Sequence, residues 1–197
     1  MAPDSAELIV SDVAAWRRWL AKRPSDSEGV WLVLAKKGTT RPTSLTYDQA
    51  LEEALRCGWV DGQLARRDEG TFRRRFTPRR AGSAWSKRNI GIIERLTAEG
   101  RMRPAGLRAV ERAKADGTWD AAYGGASTTE VPDDLKRALA ANPRASKAFA
   151  HLDKANRYSV LYRVTTARRP ETRARRITQL VEMLAQGQVI HPDHKGR

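Results

Sequence analysis

The sequence predicts an α+β fold: a small antiparallel-containing sheet with flanking helices, followed by a helical C-terminal module. Three observations carry this. Val30-Trp-Leu-Val-Leu-Ala35 is a continuous apolar run of strand length, bounded by a turn-prone stretch before it and by Lys36-Lys37-Gly38 after it. Residues 59–66 and 71–77 read as two strands joined through Asp68-Glu69-Gly70, a hairpin signal. From about residue 83 onward only helical periodicity recurs.

The elements follow in order. Val13, Trp16 and Leu20 fall at helical spacing behind a cap at Ser11 or Asp12, and Pro24 ends that helix. The apolar run is the first strand. After a loop over 38–44, Thr46 and Gln49 form a capping box ahead of Tyr47, Ala50, Leu51, Ala54 and Leu55, the clearest amphipathic stripe in the chain. Gly58 ends it. Trp31, Leu51 and Leu55 are expected in the core.

The hairpin comes next, stopped at Pro78. Ser83 or Ser86 opens a helix bearing Ile92, Ile93 and Leu96 on one face; Gly100 closes it, and Pro104 suits the first position of the next. Residues 117–129 read as a linker. The expected division is therefore 1–123, an α+β domain with the basic hairpin, and 124–197, a helical module with a disordered tail from His191. In that module Pro132 with Asp133 and Asp134, Asn142-Pro143, and Pro170-Glu171 mark helix starts. Ile177, Leu180, Val181 and Leu184 form the last stripe.

Composition bounds the partners. The 197 residues suffice for a real core without metals or disulfides. The formal net charge is +14 and the pI about 10.7, while the mean hydropathy of −0.63 reflects 30% charged residues. Such a field attracts polyanions. An Arg-rich coding bias is the plainer source of much of the excess. A lone cysteine, Cys57, excludes an internal disulfide and any Cys-based metal cluster. No basic-then-apolar leader pattern opens the chain, and no run reaches the ~18 apolar residues of a membrane span. The cytoplasm is the expected compartment.

The densest chemistry lies at residues 59–89. Seven arginines fall between Arg66 and Arg80 against two acids, Asp68 and Glu69. Alternation places Phe72, Arg74 and Phe76 on one strand face, and Thr71, Arg73, Arg75 and Thr77 on the other. The arginine fork grips phosphate or carboxylate bidentately, so Arg73, Arg75, Arg79 and Arg80 form a candidate anion patch. The plainer alternative is a solvated outer sheet face. Arg74, between two phenylalanines, snorkels or pairs with a buried acid; Asp61, on the face of Trp59, is the candidate partner.

Asp61 alternatively lines a pocket. Trp85, Ser86 and Asn89 mark a helix start that favours anions, or a simple cap with a core anchor. Lys36 either joins the patch or is a solvated strand end. The binding candidates are thus Lys36, Trp59, Asp61, Arg73, Arg75, Arg79, Trp85, Ser86 and Asn89. No catalytic constellation, cofactor motif or metal-ligand set stands out; His191 and His194 have no third ligand near them in sequence.

Several blocks carry a family resemblance. L-T-Y-D-Q-A-L-E-E-A-L-R-C-G-W-V-D-G at 45–62, R-F-T-P-R-R-A-G-S-A-W-S-K-R-N at 75–89 and G-R-M-R-P-A-G at 100–106 resemble the bacterial YdeI/OmpD-associated, bacteriocin-protection family. So do V-P-D-D-L-K-R-A-L at 131–139 and A-R-R-P-E-T-R-A-R-R-I at 167–177. The resemblance implies a small bacterial protein with an α+β part and a helical C-terminal module, linked to bacteriocin or envelope-stress tolerance. It supplies no catalytic residues. The leading expectation is a non-enzymatic binding module for an anionic partner. The alternatives are an enzyme for a phosphorylated or carboxylated small molecule with Asp61 as acid or base, and sequence-independent nucleic-acid binding.

Overall fold

The computed structural model describes residues 7–23, 27–125, 130–167 and 169–192. The chain divides into two compact units. One comprises residues up to Ser83 with Asn89–Asp120; the other comprises Ala84–Arg88 with residues from Ala121 onward.

The first unit is built on a four-stranded mixed sheet of β1 (Glu7–Leu8), β2 (Val30–Ala35), β3 (Trp59–Arg66) and β4 (Thr71–Pro78), in the order β1-β2-β4-β3. The hairpin of β3 and β4 and the antiparallel pairing of β2 with β4 are as the sequence predicts. Asp68 makes the turn: its Oδ1 accepts from the Gly70 N–H at 3.0 Å and the Thr71 N–H at 2.7 Å. Sequence reading misses β1. Its two residues carry no period of their own, and they become a strand only by parallel pairing with β2.

Helices α1 (Val13–Ala21) and α2 (Tyr47–Arg56) cover one face of the sheet. Asp12 caps α1 by accepting from the Ala15 N–H, and Thr46 with Gln49 forms the capping box of α2. Trp16, Leu20, Leu32, Leu34, Trp59 and Phe76 close the core between them. Leu51 and Leu55 are buried as expected. Trp31 is only half-buried, a correction with a simple cause. It points to the opposite sheet face, where the Arg73 guanidinium lies 5.3 Å from its ring. The unit is completed by α3 (Lys87–Ala98), whose first two residues belong to the other unit, and α4 (Pro104–Ala115).

The second unit packs α5 (Asp133–Ala140), α6 (Pro143–Ala150), α7 (Lys154–Thr165) and α8 (Pro170–Ala185) around Leu135, Phe149, Val160, Leu161, Ile177 and Leu180. Asn142 caps α6 as the sequence suggests. His191 is not a loose tail residue: its N–H donates to Asn156 Oδ1 at 2.9 Å, and its Nε2 lies 2.9 Å from Ser159 Oγ. The rest of the expected disordered tail, 193–197, lies outside the described residues. Among the described residues no helix is long and apolar enough to cross a membrane.

Candidate functional site

The arginines of β4 are largely engaged by the protein itself. On the sheet face away from α1 and α2, Glu7 clamps two of the cations: Arg67 Nε lies 2.9 Å from Oε2 and Arg73 Nη1 3.0 Å from Oε1. The Arg67 hydrogen bond, with a lesser contribution from Arg73, holds the Glu7 carboxyl below its ordinary value. Arg75 Nη2 donates to the Glu28 carbonyl at 2.8 Å. Lys36 Nζ donates to the Asp68 carbonyl at 2.8 Å, bracing the hairpin turn.

On the other face Arg74 does meet Asp61, at 2.5 Å. Tyr47 donates its hydroxyl to the same carboxylate oxygen at 2.9 Å, and the Arg74 guanidinium lies 4.6 Å from the Tyr47 ring. This three-residue clasp ties α2 to the hairpin. It uses Asp61 as an internal counter-ion, the pairing a half-buried carboxylate needs.

The expected common surface of Arg73, Arg75 and Arg79 does not form. Arg79 follows Pro78, which breaks the strand alternation, and it is only 7% exposed. Trp85 and Ser86 belong to the second unit, where the Trp85 carbonyl accepts from the Tyr123 N–H at 2.9 Å and Ser86 bridges Tyr123. Asn89 is buried on α3 in the first unit.

What the structure does bring together is Trp59 and Arg79, in a cleft that sequence reading did not assemble. Two adjoining cavities of about 250 Å³ and 300 Å³ share Cys57, Trp59, Ala105 and Arg108 as walls. The first is lined further by Arg79 and Arg112, the second by Arg23 and Arg103. Among the described residues no Asp or Glu lines either one.

Local backbone geometry builds this cleft. Gly58 ends α2 at a φ of +78°, so Trp59 can turn directly into β3. The Gly58 carbonyl accepts from the Arg79 N–H at 2.9 Å, which fixes the end of β4. The Arg56 carbonyl accepts from the Arg103 N–H at 3.1 Å, and Arg56 Nε donates to the Arg101 carbonyl at 2.6 Å. These bonds bring the start of α4 against the end of α2. A Cβ on Gly106 would stand 2.4 Å from the Arg56 carbonyl oxygen, so that approach requires glycine.

Arg56 is itself positioned by Glu53, a buried carboxylate 2.9 Å from Arg56 Nη1 and 2.6 Å from Arg17 Nη2. Burial alone would raise the Glu53 carboxyl, but the two guanidiniums outweigh it and hold it below its ordinary value.

The electrostatics of the cleft favour anions. Five arginines line it, and among the described residues that wall the two cavities there is no carboxylate; like charges so gathered repel one another. Arg23 is stacked on Trp19, its guanidinium 4.6 Å from the ring. Helix α4 starts at the cleft with Pro104 in its first turn and no side-chain cap, and the positive end of its dipole adds to the field. Burial pushes the Cys57 thiol up, against the opposing pull of the nearby guanidiniums. A sequence signal for the missed residues exists in Arg108 and Arg112. They are like charges one helical turn apart, a spacing that costs a helix about 0.2–0.5 kcal/mol.

The family model described as Domain of unknown function (DUF8412) matches residues 8–109, just over half of the chain. The chain belongs to this family. Residues 128–187 match the model described as Bacteriocin-protection, YdeI or OmpD-Associated. That match covers only part of the chain, its C-terminal portion. The blocks at 131–139 and 167–177 that carried the resemblance fall within it. The blocks at 45–62, 75–89 and 100–106 fall within the DUF8412 match. No curated protein and no solved structure matches the chain. The DUF8412 segment includes Arg23, Cys57, Trp59, Arg79, Arg103 and Arg108 of the cleft, while Arg112 lies just beyond it.

Proposed function

We propose that the DUF8412 unit is a binding module for an anionic ligand and that the basic cleft is where the ligand sits. The observation that carries this is the convergence of Arg23, Arg79, Arg103, Arg108 and Arg112 on one cleft with no acid among its described walls. Arginine is suited to the role because it stays charged and presents a planar fork of donors to phosphate or carboxylate. The engagement of Asp61 by Tyr47 and Arg74 supports binding over catalysis. Isothermal titration with inorganic phosphate and pyrophosphate tests the reading. The wild-type protein should bind pyrophosphate, and R108A/R112A should bind it at least tenfold more weakly with an unchanged melting curve. Equal affinity in both proteins would refute it.

The sheet face bearing Arg73 and Arg75 is the second candidate surface, favoured by the two adjacent guanidiniums and half-buried Trp31 beside them. Nucleic acid is the polyanion that suits such an open face. Its signature is a steep fall of affinity with salt, about 0.7 in log–log slope for each single-strand phosphate neutralised. A flat salt response with a short oligonucleotide would remove this reading. The proposed compartment is the cytoplasm, which cell fractionation checks. The proposed setting is bacteriocin or envelope-stress tolerance, in line with the printed description of the C-terminal match. A deletion strain with unaltered bacteriocin sensitivity would count against it.

A further inference from the structure

The exposed side chains of the cleft are chiefly cationic. Its large apolar members are closed off, with Leu20 and Trp59 each only 2% exposed. Arg23, Arg103, Arg108 and Arg112 are exposed, and their distribution is ordered. Arg23 and Arg103 line only the cavity of about 300 Å³, Arg112 lines only that of about 250 Å³, and Arg108 lines both. Arg103, at the N-cap of α4, and Arg108 and Arg112 within it extend over about 13 Å of helix axis at the usual rise per residue. Among the described residues none of these three side chains makes a hydrogen bond or an ion pair. Arg56, Arg67, Arg74, Arg95 and Arg101, by contrast, each meet a carboxylate.

We propose that the ligand is a linear oligophosphate lying across both cavities, with one end between Arg23 and Arg103, its middle at Arg108 and its other end at Arg112. This rests on the anion-binding reading above and narrows it to a ligand class. A single phosphate occupies one cavity and leaves the cations of the other to repel one another. A chain of phosphates carries charge on every unit, so each of the three stations along α4 meets an anionic group that a guanidinium fork can grip. Such a chain has no apolar body, and the cleft has no exposed leucine or tryptophan face to receive one. Inorganic polyphosphate and the phosphate tail of a nucleotide share this chemistry.

The test is calorimetric titration of the full chain with inorganic phosphate, tripolyphosphate, adenosine triphosphate and a short oligothymidylate. Tripolyphosphate should bind about tenfold or more tightly than phosphate. Adenosine triphosphate should match tripolyphosphate to within about fivefold, because the cleft offers its base no apolar wall. Arg103 joins α4 to the end of α2 through its backbone N–H, which Arg103→Ala retains. R103A and R112A should each weaken tripolyphosphate about tenfold and phosphate less than about threefold, since phosphate has the other cavity. Arg175→Ala removes an exposed cation of α8 in the second unit and should leave both affinities within about twofold. If phosphate binds and tripolyphosphate binds no tighter, the ligand class is wrong and the anion site stands. If neither binds, the anion reading falls and this inference with it. If R175A weakens tripolyphosphate as much as R103A does, only the overall charge is acting and the inference is overturned. Adenosine triphosphate or oligothymidylate binding about tenfold tighter than tripolyphosphate would overturn it as well, in favour of base or nucleic-acid recognition.

Discussion

Gly58→Ala isolates the joint that forms the cleft. Two costs add at this position. The residue sits at φ +78°, where an L side chain is disfavoured by about 1–2 kcal/mol. The new Cβ would also stand 2.8 Å from the Ala105 carbonyl oxygen and 3.1 Å from its carbon. Both obstacles are backbone, so no rotamer change relieves them; the start of α4 must move, an overpacking cost of about 1–3 kcal/mol. Alanine recovers about 0.4–1 kcal/mol from the stiffer unfolded chain. The net expectation is about 2–4 kcal/mol. Gly38→Ala is the control, because Gly38 has φ +85° and nothing within 4 Å of its would-be Cβ. It bears the backbone cost alone. Urea denaturation of both variants, at an unchanged m-value, should separate them by about 1–3 kcal/mol. Equal destabilisation would show that α4 yields freely and that the Gly58–Ala105 contact does not set the cleft. The moved helix should also weaken pyrophosphate binding in G58A and leave it intact in G38A.

Other expectations follow from the ion pairs. Glu53 has a folded-state value held below its ordinary one, so its contribution to stability is complete above the usual glutamate range and is lost as pH falls through that range and then through the folded value. Glu53→Gln should therefore lower stability at pH 7 and flatten its decline between pH 5 and the acid limit; parallel wild-type and mutant profiles would refute the assignment. Because Arg17 is half exposed, the neutral-pH loss should lie near the lower end of the about 3–5 kcal/mol typical of a broken buried pair. R73A/R75A removes a partly exposed Glu7 pair and a carbonyl contact, so denaturation should register about 1 kcal/mol or less. Pyrophosphate affinity should stay within about twofold in that variant if the cleft is the site; a collapse of affinity would move the site to the sheet face.

The sequence by itself determined whatever depends on neighbours along the chain. The capping box at Thr46 and Gln49, the Asp68 turn, the six-residue strand, the arrest of α2 at Gly58 and the start of α4 at Pro104 are all local, set by side-chain period, by φ and by hydrogen bonds spanning a few residues. The Arg74–Asp61 pair was also legible, because strand alternation places a cation between two core phenylalanines where it needs an acid. Only the tertiary structure decided which remaining arginines are satisfied. Glu7 reaches Arg67 and Arg73 across 60 and 66 positions by way of a two-residue strand that exists only through its pairing with β2. The cleft draws Arg23, Gly58 and Arg79 from just past the ends of α1, α2 and β4, and Arg108 from α4, into one place. An arginine reads the same in a sequence whether a carboxylate stands beside it or not. Its role is fixed by Coulomb and hydrogen-bond contacts a few ångströms long, and the packing of distant segments brings those into reach.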